Sequence, residues 1–389
     1  MDFALTKKQV ELRDEVRDFL AKEVTEELAR ETLSGAGRGP LGWGMYRKLL
    51  KKGWITIAWP KEYGGLGGSN VDQIIVAEEI MYSRGLDAEC CQAAYVVAPS
   101  IMLHGTDEQR KEYLPRIANG EIEFALGYTE PEAGSDIASL KLRAVEDGDY
   151  YIISGQKVYN TNCHISNYHW LAARTDTEAP NHKGISMFIV DLKSPGITIR
   201  PLWTAAGYRT NEVFYDNVRV PKKNLVGEKN KGFYYMVGAL DYERAALILL
   251  GWQRRDFDEL VKYVKETNRN GKPLSEDCNV RSRLAQLAID IEIARLLQFR
   301  LALMLDEGVI PNYEAAMMKV FFTELTQRIY MVGMKITGPY GRLLAGSKYT
   351  PLNGRISHGA IDSLMGTIVG GTSEINKNII AQRGLGLPR

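Results

Sequence analysis

Two stretches of this sequence place groups where acid–base or binding chemistry is possible. In Leu240-Asp241-Tyr242-Glu243-Arg244 a carboxylate, Glu243, stands beside an arginine and in front of the apolar run from Ala245 to Leu250. In Val369-Gly370-Gly371-Thr372-Ser373-Glu374 the chain supplies backbone and hydroxyl groups, with no carboxylate at Gly370. Glycine has no side chain and cannot take a proton, and the residues alone leave open whether either stretch carries a catalytic base. Taken by itself, a helix glutamate is by default a solvated surface residue.

The chain that must position these groups has 389 residues, enough for two or three domains with a sizeable core. Apolar residues make up 45% and charged residues 25%, and the formal net charge is +1. That balance makes no electrostatic case for nucleic acid or an anionic membrane as partner. The cysteines are Cys90, Cys91, Cys163 and Cys278, without a CxxC pair or a Cys/His metal spacing. Adjacent Cys90 and Cys91 are unlike a secreted disulfide framework, so a reduced, cytoplasmic setting is expected. Met1-Asp2-Phe3 leads directly into a helical pattern, which predicts no signal or transit peptide. No apolar run approaches membrane-spanning length.

Periodicity divides the chain into three. Thr6 with Gln9 and Thr106 with Gln109 form capping boxes, and Leu12, Val16, Phe19 and Leu20 share a helical face. A loop from Gly35 to Pro40, a short helix from Met45 to Lys52, a turn-rich segment from Trp59 to Gly68, a helix from Ser69 or Asn70 to about Tyr82 and a buried helix from Val96 to Leu103 follow. Residues 1–120 therefore read as a helical domain. Strands are expected at Phe124 to Thr129, Leu140 to Val145, Tyr150 to Ser154, His169 to Arg174, Ile185 to Leu192 and Glu212 to Val220. With no long helix among them, residues 121–228 read as a small β-domain. Helical period returns over residues 229–389, broken at Gly271-Lys272-Pro273, at Pro311-Asn312 and at Gly338-Pro339-Tyr340-Gly341, as in a bundle. The fold class is α+β.

Tyr128-Thr129-Glu130-Pro131-Glu132-Ala133-Gly134-Ser135-Asp136 resembles the acyl-CoA dehydrogenase signature T-E-P-x-A-G-S-D. Gly155-Gln156-Lys157, Asn211-Glu212-Val213-Phe214, Gly371-Thr372-Ser373-Glu374-Ile375 and Leu385-Gly386-Leu387-Pro388-Arg389 reinforce the likeness, in that family's order and over essentially the whole chain. The resemblance implies the acyl-CoA dehydrogenase fold: an N-terminal helical domain, a central β-domain and a C-terminal four-helix bundle. It implies FAD as cofactor, an acyl-CoA substrate, an electron-transferring flavoprotein as electron acceptor, and a homotetramer or homodimer. The implied reaction removes an α-proton to a base while the β-hydrogen leaves as hydride to flavin N5. Such a base must be a carboxylate in a dry site, and the thioester oxygen must meet fixed donors.

Matched position by position, Tyr128 and Thr129 fall at flavin-ring contacts, Gly134 and Ser135 at a close approach to the cofactor, and Ser135 also near the thioester ligand. The family's Trp-x-Thr is Tyr159-Asn160-Thr161 here. Gly338 falls on an FAD loop that reaches across a subunit interface, and Thr372 and Glu374 on further FAD contacts. A usual pyrophosphate arginine is replaced by Thr267, with Arg269 or Arg281 as possible substitutes. Many members carry glutamate where this chain has Gly370. A smaller branch sets the base on an earlier helix, one residue before an arginine, and Glu243 takes that position. The branch implies Asp241 and Arg244 as orienting groups toward the CoA end, with Gly370 and Gly371 binding the thioester through backbone. It also leans toward branched, cyclic, steroid-side-chain or dicarboxylic acyl groups. Glu89, Cys91 and Gln92 fall where the acyl tail ends; they either select that tail or merely start a helix. Cys163 is expected to pack rather than do redox chemistry, and His104 to be structural. Competing readings are a non-catalytic or half-site partner subunit of a hetero-oligomeric acyl-CoA dehydrogenase, an acyl-carrier-protein thioester as substrate, or desulfination.

Overall fold

The computed structural model describes residues 4–87, 91–247 and 250–388, the side chains of residues 241–247 excepted. Helices α1 (Lys7–Glu23), α2 (Glu26–Thr32), α3 (Pro40–Lys51), α4 (Asn70–Ser83), α5 (Ala98–His104) and α6 (Asp107–Ala118) come first. Strands follow: β1 (Phe124–Gly127), β2 (Arg143–Asp147), β3 (Tyr150–Lys157), β4 (Tyr168–Arg174), β5 (Ile185–Asp191), β6 (Ile197–Trp203), β7 (Arg209–Pro221) and β8 (Leu225–Val226). The chain closes with α7 (Gly232–Leu247), α8 (Gly251–Glu266), α9 (Cys278–Asp306), α10 (Tyr313–Thr337), α11 (Arg355–Gly366) and α12 (Ser373–Ile379). The α+β class and the order of helices, sheet, then helices agree with the expectation. None of the described helices is long and apolar enough to cross a membrane.

Several local expectations need correction. The helix placed at Met45 begins at Pro40, whose missing N–H suits a first helical position. Helix α2 went unpredicted because only Leu28 of its seven residues is buried; Thr25 caps it by accepting from the Leu28 N–H. The segment at Leu140 opens with a tight turn over Ile137–Ser139, and β2 starts only at Arg143. Strand β6 was missed because Pro201 argues against a strand, yet β6 lies at the sheet edge, where a missing donor is tolerated.

By its internal contacts the chain forms two compact units. One comprises residues 23–73 and 85–247. Its sheet runs β6-β7-β3-β2-β4-β5-β8, with β1 parallel to β4. Leu142, Ile153, Leu171, Phe188 and Val213 fill its core, each almost fully buried. Gln109 does two jobs here. Its N–H and its Oε1 close the capping box with Thr106, and its Nε2 donates to the carbonyls of Lys223 (2.8 Å) and Leu225 (2.9 Å), fastening α6 to the start of β8. Arg38 and Glu123 form a buried ion pair at 3.2 Å, with the guanidinium over the rings of Tyr46 and Trp43.

The other unit holds residues 1–22, 74–84 and 248–389. There α10 packs against α8, α9, α11 and α12. Asp256, buried in α8, takes Arg84 (2.7 Å), Arg355 (3.0 Å) and the Tyr330 hydroxyl (2.5 Å). Burial pushes its carboxyl upward, but Arg355 and Arg84 outweigh that and hold it below the ordinary value. Gly251 lets α8 cross α4 closely, since a Cβ there would lie 2.4 Å from the Glu78 carbonyl oxygen.

His169 on β4 is fully buried and hydrogen-bonded to Tyr215; burial lowers its pKa to about 3. An unfolded histidine titrates near 6.5. Between those values the unfolded chain binds a proton that the folded chain refuses, so stability is present above the window and falls as pH drops through it. A His169→Gln variant lacks this term. Its deficit in urea midpoint relative to wild type is expected to narrow between pH 7 and pH 5, and a constant gap would contradict the neutral buried imidazole.

Candidate active site

In the sheet-bearing unit the structure brings together two of the motifs singled out in the sequence. The Val158 N–H donates to the Thr129 carbonyl at 3.0 Å, which sets Tyr128–Thr129 beside Tyr159–Thr161. Asn160 strengthens this junction: its Nδ2 donates to the carbonyl of Leu126 at 3.0 Å, and its N–H donates to that of Asn211 at 3.0 Å. Tyr128 is buried, and Thr129 and Thr161 are half-buried. Tyr159 is 65% exposed and held at φ +57°. A bulky residue in left-handed backbone with its ring in the open is a platform held under local strain, of the kind found at ligand sites. Gly134 and Ser135 are exposed in the loop that follows, and a Cβ on Gly134 would meet nothing within 4 Å.

Beneath this surface lies an ion pair that the motif reading left without a role. The Lys157 Nζ, wholly buried, donates to Glu130 (2.9 Å) and to the Tyr128 carbonyl (2.8 Å). Glu130 in turn accepts from the N–H groups of Lys141 (2.6 Å) and Leu142 (2.9 Å). Burial lowers the lysine's pKa to about 8, against the pull of Glu130. Lys157 shares the strand parity of buried Tyr151 and Ile153, and that was the signal available in the sequence. Cys163, nearby in the chain, is buried and its thiol is pushed up to about 12 by burial, so it packs and stays protonated. His104 stacks on Tyr235 with centroids 4.2 Å apart, as a structural residue would.

Helix α7 belongs to the same unit and packs against β5, α5 and the helical turn Ala93–Val97. It carries Asp241, Glu243 and Arg244, whose side chains lie outside the described residues, as does Glu89. Cys91 and Gln92 are buried at the entry to that turn.

The second unit holds the remaining predicted residues. Gly370 and Gly371 adopt φ +64° and +84°, and Thr372 caps α12 by accepting from the Ile375 N–H at 3.2 Å. Glu374 is exposed in the first turn of α12, and its own backbone N–H and Thr372 hold its carboxyl below the ordinary value. Thr372 and Glu374 line a groove of about 700 Å³ together with Gln327, Arg328, Thr367 and Lys377. Gly338 ends α10 at φ +65°. The Arg269 guanidinium donates to the Ile336 carbonyl and comes within 4.0 Å of where a Cβ on Gly338 would stand.

Models of the N-terminal, middle and C-terminal domains of acyl-CoA dehydrogenases match residues 6–121, 125–218 and 230–385. Acyl-CoA dehydrogenase FadE26 of Mycobacterium tuberculosis is 37% identical over 100% of this chain and 99% of its own. The chain belongs to the acyl-CoA dehydrogenase family. Among solved structures, the Tcur3481-Tcur3483 steroid ACAD is 34% identical with a TM-score of 0.92, and all of both chains is covered. The ChsE4-ChsE5 complex from Mycobacterium tuberculosis is 36% identical with a TM-score of 0.91, again over both whole chains. As an acyl-CoA dehydrogenase the chain is an oxidoreductase of a flavin-dependent family that dehydrogenates acyl-CoA thioesters.

The residues fit such a cofactor. Two half-buried hydroxyls, an open aromatic ring and a glycine without obstruction suit a flat heterocycle with a polar rim. Lys157→Met would leave Glu130 buried without its cation. It is expected to destabilise the protein by about 3–5 kcal/mol in urea and to raise flavin loss on dilution. An unchanged midpoint and unchanged flavin retention would show that the pair does not hold the Tyr128–Thr129 turn.

Proposed function

We infer that this chain binds FAD and converts an acyl-CoA thioester to its α,β-enoyl form with Glu243 as the base. The observation that carries this reading is the hydrogen-bonded junction of Thr129 with Val158, which sets two flavin-type motifs side by side under an open Tyr159. Tyr128, Thr129, Tyr159 and Thr161 would hold the ring, with Gly134 and Ser135 at its approach. Gly338 with Arg269, and Thr372 with Glu374, would hold the rest of the cofactor. FAD, when bound, takes the β-hydrogen as hydride at N5.

The chain's own part is proton removal and charge control. Glu243 stands on α7 before an apolar run, where desolvation raises the proton affinity of a carboxylate. Asp241 and Arg244 orient the site and the CoA end. Gly370 and Gly371 bind the thioester oxygen through backbone, a task that needs no side chain. Residues 1–120, 121–228 and 229–389 would form the N-terminal helical domain, the central β-domain and the C-terminal helical bundle. One solved neighbour is a steroid ACAD, which supports a branched, cyclic or otherwise unusual acyl group here. Electron-transferring flavoprotein is the expected acceptor, a part supported by a relative named as a subunit of a caffeyl-CoA reductase–Etf complex.

A second reading concerns assembly. Thr267 stands where a pyrophosphate arginine is usual, and two similar structures are named as pairs of different chains. Both favour a hetero-oligomer in which this chain supplies Glu243 and part of each FAD site. Protein expressed alone would then be colourless and turn yellow with its partner; a yellow, homogeneous preparation supports the homo-oligomer.

Flavin bleaching by a panel of acyl-CoA thioesters tests the reaction itself. Glu243→Gln is expected to keep FAD and lose about 100- to 10,000-fold in the rate of bleaching. Near-normal bleaching would move the base elsewhere, and a wild type inert until Gly370→Glu is made would reverse the assignment.

A further inference from the structure

Lys319 sits in the second turn of α10 and is only 3% exposed. Its Nζ donates to the Gly371 carbonyl at 2.6 Å. Wholly buried Asn376 donates to the same oxygen at 2.8 Å and to the Thr372 carbonyl at 3.0 Å. The stretch these groups grip begins just after α11. The N–H groups of Ile368 and Val369 donate to the Met365 carbonyl, and the Ser373 N–H closes back on Thr367 at 2.9 Å. Gln327, also on α10, donates to Thr367 Oγ1 at 3.2 Å. Between these ties lie two successive left-handed glycines. Glycine has the most backbone freedom to lose, so a Gly-Gly turn keeps one direction only if it is gripped from outside. A lysine kept dry is uncommon, because its desolvation must be offset by the place it fills.

Resting on the assignment of Gly370 and Gly371 to the thioester, we propose that Lys319 is the positioning residue for that turn. By fixing the Gly371 carbonyl it fixes the direction of the adjoining N–H groups before a thioester arrives. Preorganised donors stabilise a developing oxyanion without reorganising at the moment of reaction. The fixed cation adds a positive potential on the same side. A merely structural lysine would join α10 to α12 and have no effect on the electronic state of a bound thioester.

The test uses the flavin-loaded protein, in its native assembly, titrated with cinnamoyl-CoA. The ultraviolet band of this enoyl thioester moves to longer wavelength when its carbonyl is polarised. Wild type is expected to produce that shift. Lys319→Met should lose at least half of it while retaining flavin, with kcat for the acyl-CoA that bleaches the flavin lowered roughly 10- to 100-fold and KM changed less than about threefold. A full shift with wild-type kcat overturns the proposal. Should Lys319→Met fail to fold, Asn376→Ala removes the other donor to the same oxygen: a reduced shift supports the proposal, and an unaltered one overturns it. Glu243→Gln should keep the shift while losing bleaching, which separates the base from the turn. A wild type that leaves the band where free cinnamoyl-CoA has it overturns the thioester assignment, and the role of Lys319 with it.

Discussion

The sheet-bearing unit depends on a dry ion pair, Lys157 with Glu130. Neither partner tolerates burial alone, and further hydrogen bonds to the Tyr128 carbonyl and from the Lys141 and Leu142 N–H groups help their mutual attraction offset desolvation. Glu130 gathers two backbone N–H groups from the chain leading into β2, and Lys157 reaches past it to the Tyr128 carbonyl. Three separate pieces of chain are thereby tied at one point. Thr129 lies between the two anchored residues, so its carbonyl is presented to Val158 with little freedom. The surface proposed to receive a flavin is the upper side of this knot.

The helical unit repeats the device with other residues. Asp256 gathers Arg84, Arg355 and Tyr330 from three segments far apart in sequence, and Glu259 takes the second bond of Arg84 at 2.9 Å. Lys319 is a milder case, a cation donating to the Gly371 carbonyl. In each, a charge removed from water is held by partners from separate segments and thereby helps dictate where several backbones meet. Apolar packing could supply as much stability, but it would leave such meeting points less defined.

Much of this was legible beforehand. The capping box at Thr106 and Gln109 gave the start of α6, because its two reciprocal bonds depend only on local sequence. Short, largely apolar runs bounded by turn residues gave β4 and β5. The motifs from Tyr128 to Asp136 and from Gly371 to Ile375 gave the family and the candidate site. Failures came where tertiary context outweighed local pattern. Strand β6 is an edge strand whose Pro201 lowers its local strand signal, and α2 had too little apolar surface to announce itself. The roles of Glu130 and Lys157 were hidden for another reason. They are 27 residues apart, and nothing in either neighbourhood tells which distant charge a buried lysine will meet.

Pro201 has one more effect. An outer strand usually presents a row of N–H donors that a stray extended segment can dock against, adding rungs without limit. In β6 that row is interrupted, because proline offers no hydrogen there. The sheet is thus discouraged from growing sideways into other chains, which lowers its hazard of forming fibrils at high concentration.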